Sequence, residues 1–191
     1  MRKIVFDIET QNFFPDVGKR DPALLDISLL AIHDSKDEEY KSFLHNELGS
    51  LWPILEKADL LIGYNSEHFD IPLLNKYYPG DLTQIKHVDL MKEIKEVLGR
   101  RIGLNAVAKA TLGIEKSGHG SQGLTWWKNG EIEKLRDYCI QDVKITKELY
   151  EYALKNGCLK YEDMGVVKEI KLDTTPWKKQ EASSMTHTMP F

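Results

Sequence analysis

Asp7, Glu9, Asp70, Tyr138 and Asp142 are the side chains in this sequence whose types and spacing suggest chemistry. Asp7 and Glu9 close the stretch RKIVFDIET, Arg2 to Thr10, in which Ile4, Val5, Phe6 and Ile8 form a nearly unbroken apolar run. Such a run reads as a strand buried on both faces, and therefore as a central strand. Side chains at i and i+2 of a strand point to one face, so the two carboxylates stand side by side at its end. Adjacent anions at a buried rim repel each other and lose hydration, and a divalent cation is the simplest offset to both. The alternative is a strand that ends at Phe6 and leaves both acids solvated in a turn.

Asp142 is placed differently. The pattern predicts a long helix over Glu131 to Leu154, with an apolar stripe of Ile132, Leu135, Cys139, Thr146, Leu149 and Ala153. Asp142 falls in the gap of that stripe, and no Lys or Arg lies within it. A carboxylate on the core-facing side of a helix is costly unless it is paired or binds a metal. Tyr138, one turn earlier, shares its face. A partly buried aspartate bonded to a backbone group is the other account. Asp70 lies in GYNSEHFDIPLL, Gly63 to Leu74, at an expected strand-to-helix junction, where sites of α/β sheets form. The run Asp70-Ile71-Pro72 also suits an ordinary helix start.

The elements that would hold these residues follow from hydrophobic periodicity. Leu25 to His33 and Tyr40 to Leu44 are expected strands, joined through the polar turn Asp34-Ser35-Lys36-Asp37. Before them, Phe13, Phe14, Pro15 and Gly18 mark a loop rich in aromatics. A helix is expected over Asn46 to Lys57, a strand over Asp59 to Tyr64, and a helix over Phe69 to Tyr78. Gln84 to Asp89 reads as a strand, and Leu90 to Leu98 as a helix closed by Gly99. Leu104 to Leu112 is also helical in pattern, and Ser117 to Gly123 is expected to be a flexible loop. Leu159 to Leu172 alternates enough for a short hairpin, and a polar tail begins at Asp173. Together these predict an α/β fold with a mixed sheet flanked by helices. A domain over 1–155 is expected, with 156–191 as a C-terminal extension belonging to it.

Composition sets the bounds. The chain has 191 residues, 41% hydrophobic and 29% charged, enough for one domain with a real core. No apolar run approaches the roughly 18 residues of a membrane span, and no signal-peptide-like stretch is present near residue 1. Two cysteines, Cys139 and Cys158, make neither a disulfide framework nor a metal-binding spacing, so a reducing, cytoplasmic setting is expected. The net charge of −4 announces no global basic field, although a local basic rim around an acidic site would leave the same total.

Three segments carry a family resemblance. Asp7-x-Glu9, then Asn65-x-x-x-Phe69-Asp70, then Tyr138-x-x-x-Asp142 resemble, in order and residue type, the three exonuclease motifs of the DEDD group within the ribonuclease-H-like superfamily. The tyrosine four residues before the last aspartate looks like the DEDDy branch, similar to the proofreading domains of family B DNA polymerases and to stand-alone exonucleases. The branch with a catalytic histidine would carry it at position 137, which here is Asp137. The resemblance spans Met1 to about Leu154 and leaves the chain beyond Leu159 unexplained.

The resemblance implies a metal-dependent 3′–5′ exonuclease that releases nucleoside monophosphates from a single-stranded DNA or RNA 3′ end. Two divalent ions, roughly 3.5–4 Å apart, would clamp the scissile phosphate. Oxygen ligands without a His/Cys cluster favour Mg²⁺ or Mn²⁺ over zinc. By analogy Asp7 would bridge both ions, Glu9 and Asp142 would complete the site of the ion that activates the nucleophile, and Asp70 would hold the second. Tyr138 would orient the attacking water, its ordinary pKa near 10 suiting a positioning role. Asn65 and Phe69 would be substrate-binding positions, Phe69 by packing beneath the site.

Further residues are weaker candidates. His87 and Asp89 share a strand face, but Asp89 also suits a helix N-cap. His119 lies in the glycine-containing loop, with Lys109, Lys116 and Lys128 near it. Trp126 and Trp127 offer stacking surfaces of ~1–3 kcal/mol per base, or core. Two rival functions remain open: a nucleic-acid-binding module whose catalysis has lapsed, and a metal-dependent phosphohydrolase of small nucleotides.

Overall fold

Lys3–Thr10 (β1) is the middle strand of a five-stranded sheet in the computed structural model, which describes residues 1–114 and 122–178. Ile27–Asp34 (β2) pairs antiparallel with β1 along nearly its whole length, and Glu39–Leu44 (β3) pairs with β2 as the other arm of a hairpin. On the opposite side, Leu60–Gly63 (β4) and His87–Asp89 (β5) run parallel to β1, giving the order β3-β2-β1-β4-β5. The fold is therefore the expected α/β architecture, a mixed sheet flanked by helices.

The strand period of two divides the core in two. Ile4, Phe6 and Ile8 point to one face of β1 and pack in a cluster with Ile71, Leu73, Leu51 and Leu55. Val5 points to the other face, into a cluster with Leu135, Cys139, Val143 and Leu149. Asp7 and Glu9 continue the Val5 row, so they point to that second face.

Eight short and long helices surround the sheet among the described residues. Phe14–Val17 (α1), Trp52–Leu55 (α2) and Asp70–Asn75 (α3) are brief, and all three pack against the Ile4–Ile8 face. Leu90–Leu98 (α4) and Leu104–Leu112 (α5) each end on a left-handed glycine, at Gly99 and Gly113. Gln122–Lys128 (α6) leads by a tight turn into Ile132–Asn156 (α7), the longest helix, whose buried stripe includes Asp142. A two-stranded hairpin, Cys158–Asp163 (β6) with Val166–Lys171 (β7), packs on α5 and α7, and Thr175–Lys178 (α8) follows. No helix among the described residues is long and apolar enough to cross a membrane.

Several expected boundaries shift. The helix over Asn46 to Lys57 is instead a 3-10 segment, His45–Ser50, followed by the single turn α2. Gly49-Ser50 is a weak helix former and Pro53 lacks an amide to donate, so one continuous ladder cannot form. The helix expected over Phe69 to Tyr78 stops at Asn75. The strand over Gln84 to Asp89 is only three residues, because Asp81 caps a 3-10 turn at Leu82–Gln84 by accepting the Thr83 amide. Gln122 and Gly123, expected in a loop, begin α6; the rest of that loop, with Lys116 and His119, lies outside the described residues, as does the tail after Lys178.

Candidate metal centre

Carboxylate oxygens of Asp7, Glu9 and Asp142 all lie within 4.8 Å of one another. The convergence follows from two periodicities. Asp7 and Glu9 share the face of β1 that looks toward α7, and Asp142 is on the side of α7 that looks back. Asp142 is 7% exposed, while the two strand acids are only partly covered, so the cluster opens to solvent from the strand side. Three acids this close favour a bound cation, since each raises the cost of ionising the others.

Cys139 lies directly beneath the cluster, its sulfur 3.4 Å from the Asp7 carbonyl oxygen and 3.6 Å from Asp7 Oδ2. Complete burial pushes the thiol pKa well up, and Asp7, Glu9 and Asp142 push it further. It therefore stays a neutral donor to Asp7 and is no thiolate ligand. The donor set is all hard oxygen, which fits Mg²⁺ or Mn²⁺ and not a soft metal.

Asp70 is outside the 4.8 Å cluster but touches the same strand. β4 pairs with β1 only as far as Val5, which leaves the edge of β1 open beyond it. The Asp70 carboxyl, 5% exposed at the first residue of α3, faces the backbone amide of Ile8, the residue between Asp7 and Glu9. Burial, and then the charge of Asp89, push its pKa up to about 8.

The loop before Asp70 is held by Asp89, which the sequence offers as a helix cap or as a weak site candidate beside His87. Asp89 caps α4 by accepting the Met91 and Lys92 amides at 2.9 and 3.3 Å. It also accepts Asn65 N–H at 2.7 Å and Glu67 N–H at 3.0 Å. Asn65 adopts a left-handed backbone, φ 66°, and its carbonyl receives the Phe69 amide. At Gly63 a Cβ would overlap the Ser66 side chain, so the turn closes this tightly only with glycine. Ser66 Oγ in turn lies 2.8 Å from Nε2 of His87, whose pKa burial lowers, keeping it neutral. Phe69 packs edge-on to Phe14, their centroids 6.1 Å apart.

Tyr138 is 6% exposed, with its ring 5.4 Å from that of Trp126 and tilted by 64°. Trp127 packs edge-on to His45 at 5.6 Å. Both tryptophans are half-buried, so neither is an open stacking platform. Beside Asn65 and Asp89 lies a cleft of about 390 Å³ whose walls include Lys92, Lys95 and Arg101. No sequence pattern marks this cleft, because its cations come from α4 and the segment after it, packed around a loop some thirty residues earlier. Gly123 was also missed; it lies in contact with Glu9, and nothing local to the sequence signals that.

A model of the RNase_H superfamily matches residues 4–154. A DNA-directed DNA polymerase of Enterobacteria phage T3 is 24% identical over 194 aligned residues, covering 80% of this chain and 27% of that polymerase. The structure of the family B DNA polymerase from the hyperthermophilic archaeon Pyrobaculum calidifontis matches with a TM-score of 0.63 at 22% identity, over 81% of this chain and 24% of that one. The chain thus spans about a quarter of the length of each of these relatives.

Proposed function

The chain belongs to the RNase_H superfamily, and from that membership we propose that it is a metal-dependent 3′–5′ exonuclease acting on single-stranded DNA or RNA. The observation that carries this reading is the convergence of Asp7, Glu9 and Asp142 within 4.8 Å, on the two elements whose motifs resemble those of DEDDy exonucleases. Likeness to two DNA polymerases over a quarter of their length supports a nucleic-acid substrate.

Asp7, Glu9 and Asp142 would hold divalent ions, Mg²⁺ or Mn²⁺, with Asp70 as the further ligand. When bound, two such ions activate water, neutralise the scissile phosphate and steady the leaving oxygen. The chain's own side chains do the rest. Tyr138, buried beside Asp142 on α7, positions the attacking water through its hydroxyl. Cys139 donates to Asp7 and fixes the orientation of that carboxylate. Asn65 holds the strand near its 3′ end, and Phe69 supports the floor below it. Lys95 and Arg101 in the neighbouring cleft, beside a Lys92 that is paired with Glu67, offer phosphate contacts to the nucleotides that follow.

The test is digestion of 5′-labelled single-stranded DNA and RNA with Mg²⁺, Mn²⁺ or EDTA. Wild type is expected to give a metal-dependent ladder that shortens from the 3′ end, and Asp7→Ala to lose at least about a thousandfold in rate. Cleavage that survives D7A, or preference for mononucleotides, would sink the exonuclease reading. Retained strand binding with no cleavage by the wild type would identify a lapsed binding module instead.

A further inference from the structure

We propose that α6 sets the working geometry of the centre, with Gly123 as the positioning residue for Glu9 and Trp126 as the positioning residue for Tyr138. The inference rests on the exonuclease reading above and adds two residues that its motifs do not contain.

Gly123 is buried, and a Cβ built there would overlap Glu9 Oε2 and stand 3.0 Å from Glu9 Cδ and 3.5 Å from Leu135 Cδ1. The backbone of α6 therefore lies directly against the carboxylate. Helix propensity favours Ala over Gly by about 1 kcal/mol. Glycine here runs against local helix preference and is explained by the close approach to Glu9.

Trp126 is three residues further on and therefore on the same side of α6. Its ring meets Tyr138 at 5.4 Å and 64°, within the edge-on range that aromatic pairs prefer. The helix is not free to slide. Glu131 N–H donates to the Trp126 carbonyl at 2.8 Å, and Gly130 N–H donates to that of Trp127 at 3.0 Å, tying α6 to the start of α7. Trp127 braces its far side on His45. One short helix thus touches a proposed metal ligand on β1 and the proposed water-positioning tyrosine on α7, and fixes their separation.

The experiment measures Mn²⁺ affinity, kcat and KM on a single-stranded oligonucleotide, and Tm, for G123A, E9D, the G123A/E9D double variant, W126L and W126F. G123A is expected to weaken Mn²⁺ binding by about tenfold or more, the range for removing a ligand's outer support. E9D withdraws the carboxylate by one methylene and vacates the space the new Cβ needs. The double variant should therefore bind no worse than E9D alone, a strongly non-additive cycle. If G123A is instead poorly folded, recovery of its Tm by E9D gives the same answer. W126L is expected to lower kcat about tenfold with KM and Mn²⁺ affinity unchanged, and W126F to restore most of it.

Wild-type Mn²⁺ affinity in G123A, or additive losses with E9D, would overturn the assignment of Gly123. A W126L protein that loses only Tm, or that W126F fails to rescue, would overturn that of Trp126. A wild type that neither binds Mn²⁺ nor cleaves would instead refute the exonuclease reading itself, so the two failures are distinct.

Discussion

Asp70 is a carboxyl group placed where water scarcely reaches, against the backbone amide of the residue between two other acids. Burial and the nearby Asp89 hold its folded pKa at about 8, far above the value near 3.9 of an unfolded chain. Between those two values the native state binds the extra proton, so stability is lost as pH rises through that window. The metal-free protein should therefore lose Tm between about pH 5 and pH 8.5, by at least about 3 °C for a domain of this size. Divalent metal should raise Tm more at pH 8 than at pH 5.5, since metal binding competes with the proton. D70N should flatten the metal-free profile. A profile in wild type as flat as in D70N would show that Asp70 carries no such proton. At this scale the sequence was informative about residue type: a carboxylate at a strand-to-helix junction was visible. Its contact with Ile8 was not, since that depends on β4 ending early beside β1.

Among the elements, the Asn65–Asp70 loop depends on α4, a helix that contributes no residue to the acid cluster. Asp89 binds two amides of α4 and two of the loop, with both oxygens engaged. D89A should leave four amides without their acceptor and cost about 2–4 kcal/mol, read as a lower urea midpoint. Because the loop carries Asn65, KM for oligonucleotides should rise in D89A by more than kcat falls. D89N, which keeps an accepting oxygen, should lie between. An unchanged KM in D89A would show that the loop holds its shape without this tie. The cap was legible from Asp89 preceding an amphipathic run. The second role was not, because the pairing of β4 with β5 is what brings residues 65 and 67 to residue 89. The break at His45–Ser50 shows the converse. There Leu48, Leu51 and Leu55 fit a helical period, yet Pro53 and the Gly49-Ser50 pair decided the backbone.

For the whole molecule, the superfamily match ends at residue 154, yet the hydrophobic core does not. Leu159, Tyr161, Ile170 and Leu172 of the hairpin region are buried in one cluster with Val143, Leu149 and Ala153 of α7. Trp177, 2% exposed, stacks on Tyr150 with centroids 5.5 Å apart and lies near the Glu93 carboxylate on α4. We therefore propose that the extension, in its described part over 156–178, is an integral part of the domain. W177A should cost about 3–5 kcal/mol in urea unfolding as one cooperative transition, with kcat little changed where the protein stays folded. A separate early transition, or no loss of stability, would mark the extension as an appendage.

The sequence by itself determined the character of the central strand, the long helix with a carboxylate in its buried stripe, and the mixed α/β class. Each of these is written in a local period of two or 3.6 residues, which any short window contains. Only the tertiary structure decided that Asp7, Glu9 and Asp142 share one 4.8 Å cluster while Asp70 stands aside on the Ile8 amide. Nor did any local pattern place Gly123 on Glu9, or Lys92, Lys95 and Arg101 around one cleft. Those relations join residues up to 135 positions apart, and their distances are set by how helices pack on a twisted sheet, to which side-chain periodicity along the chain is blind.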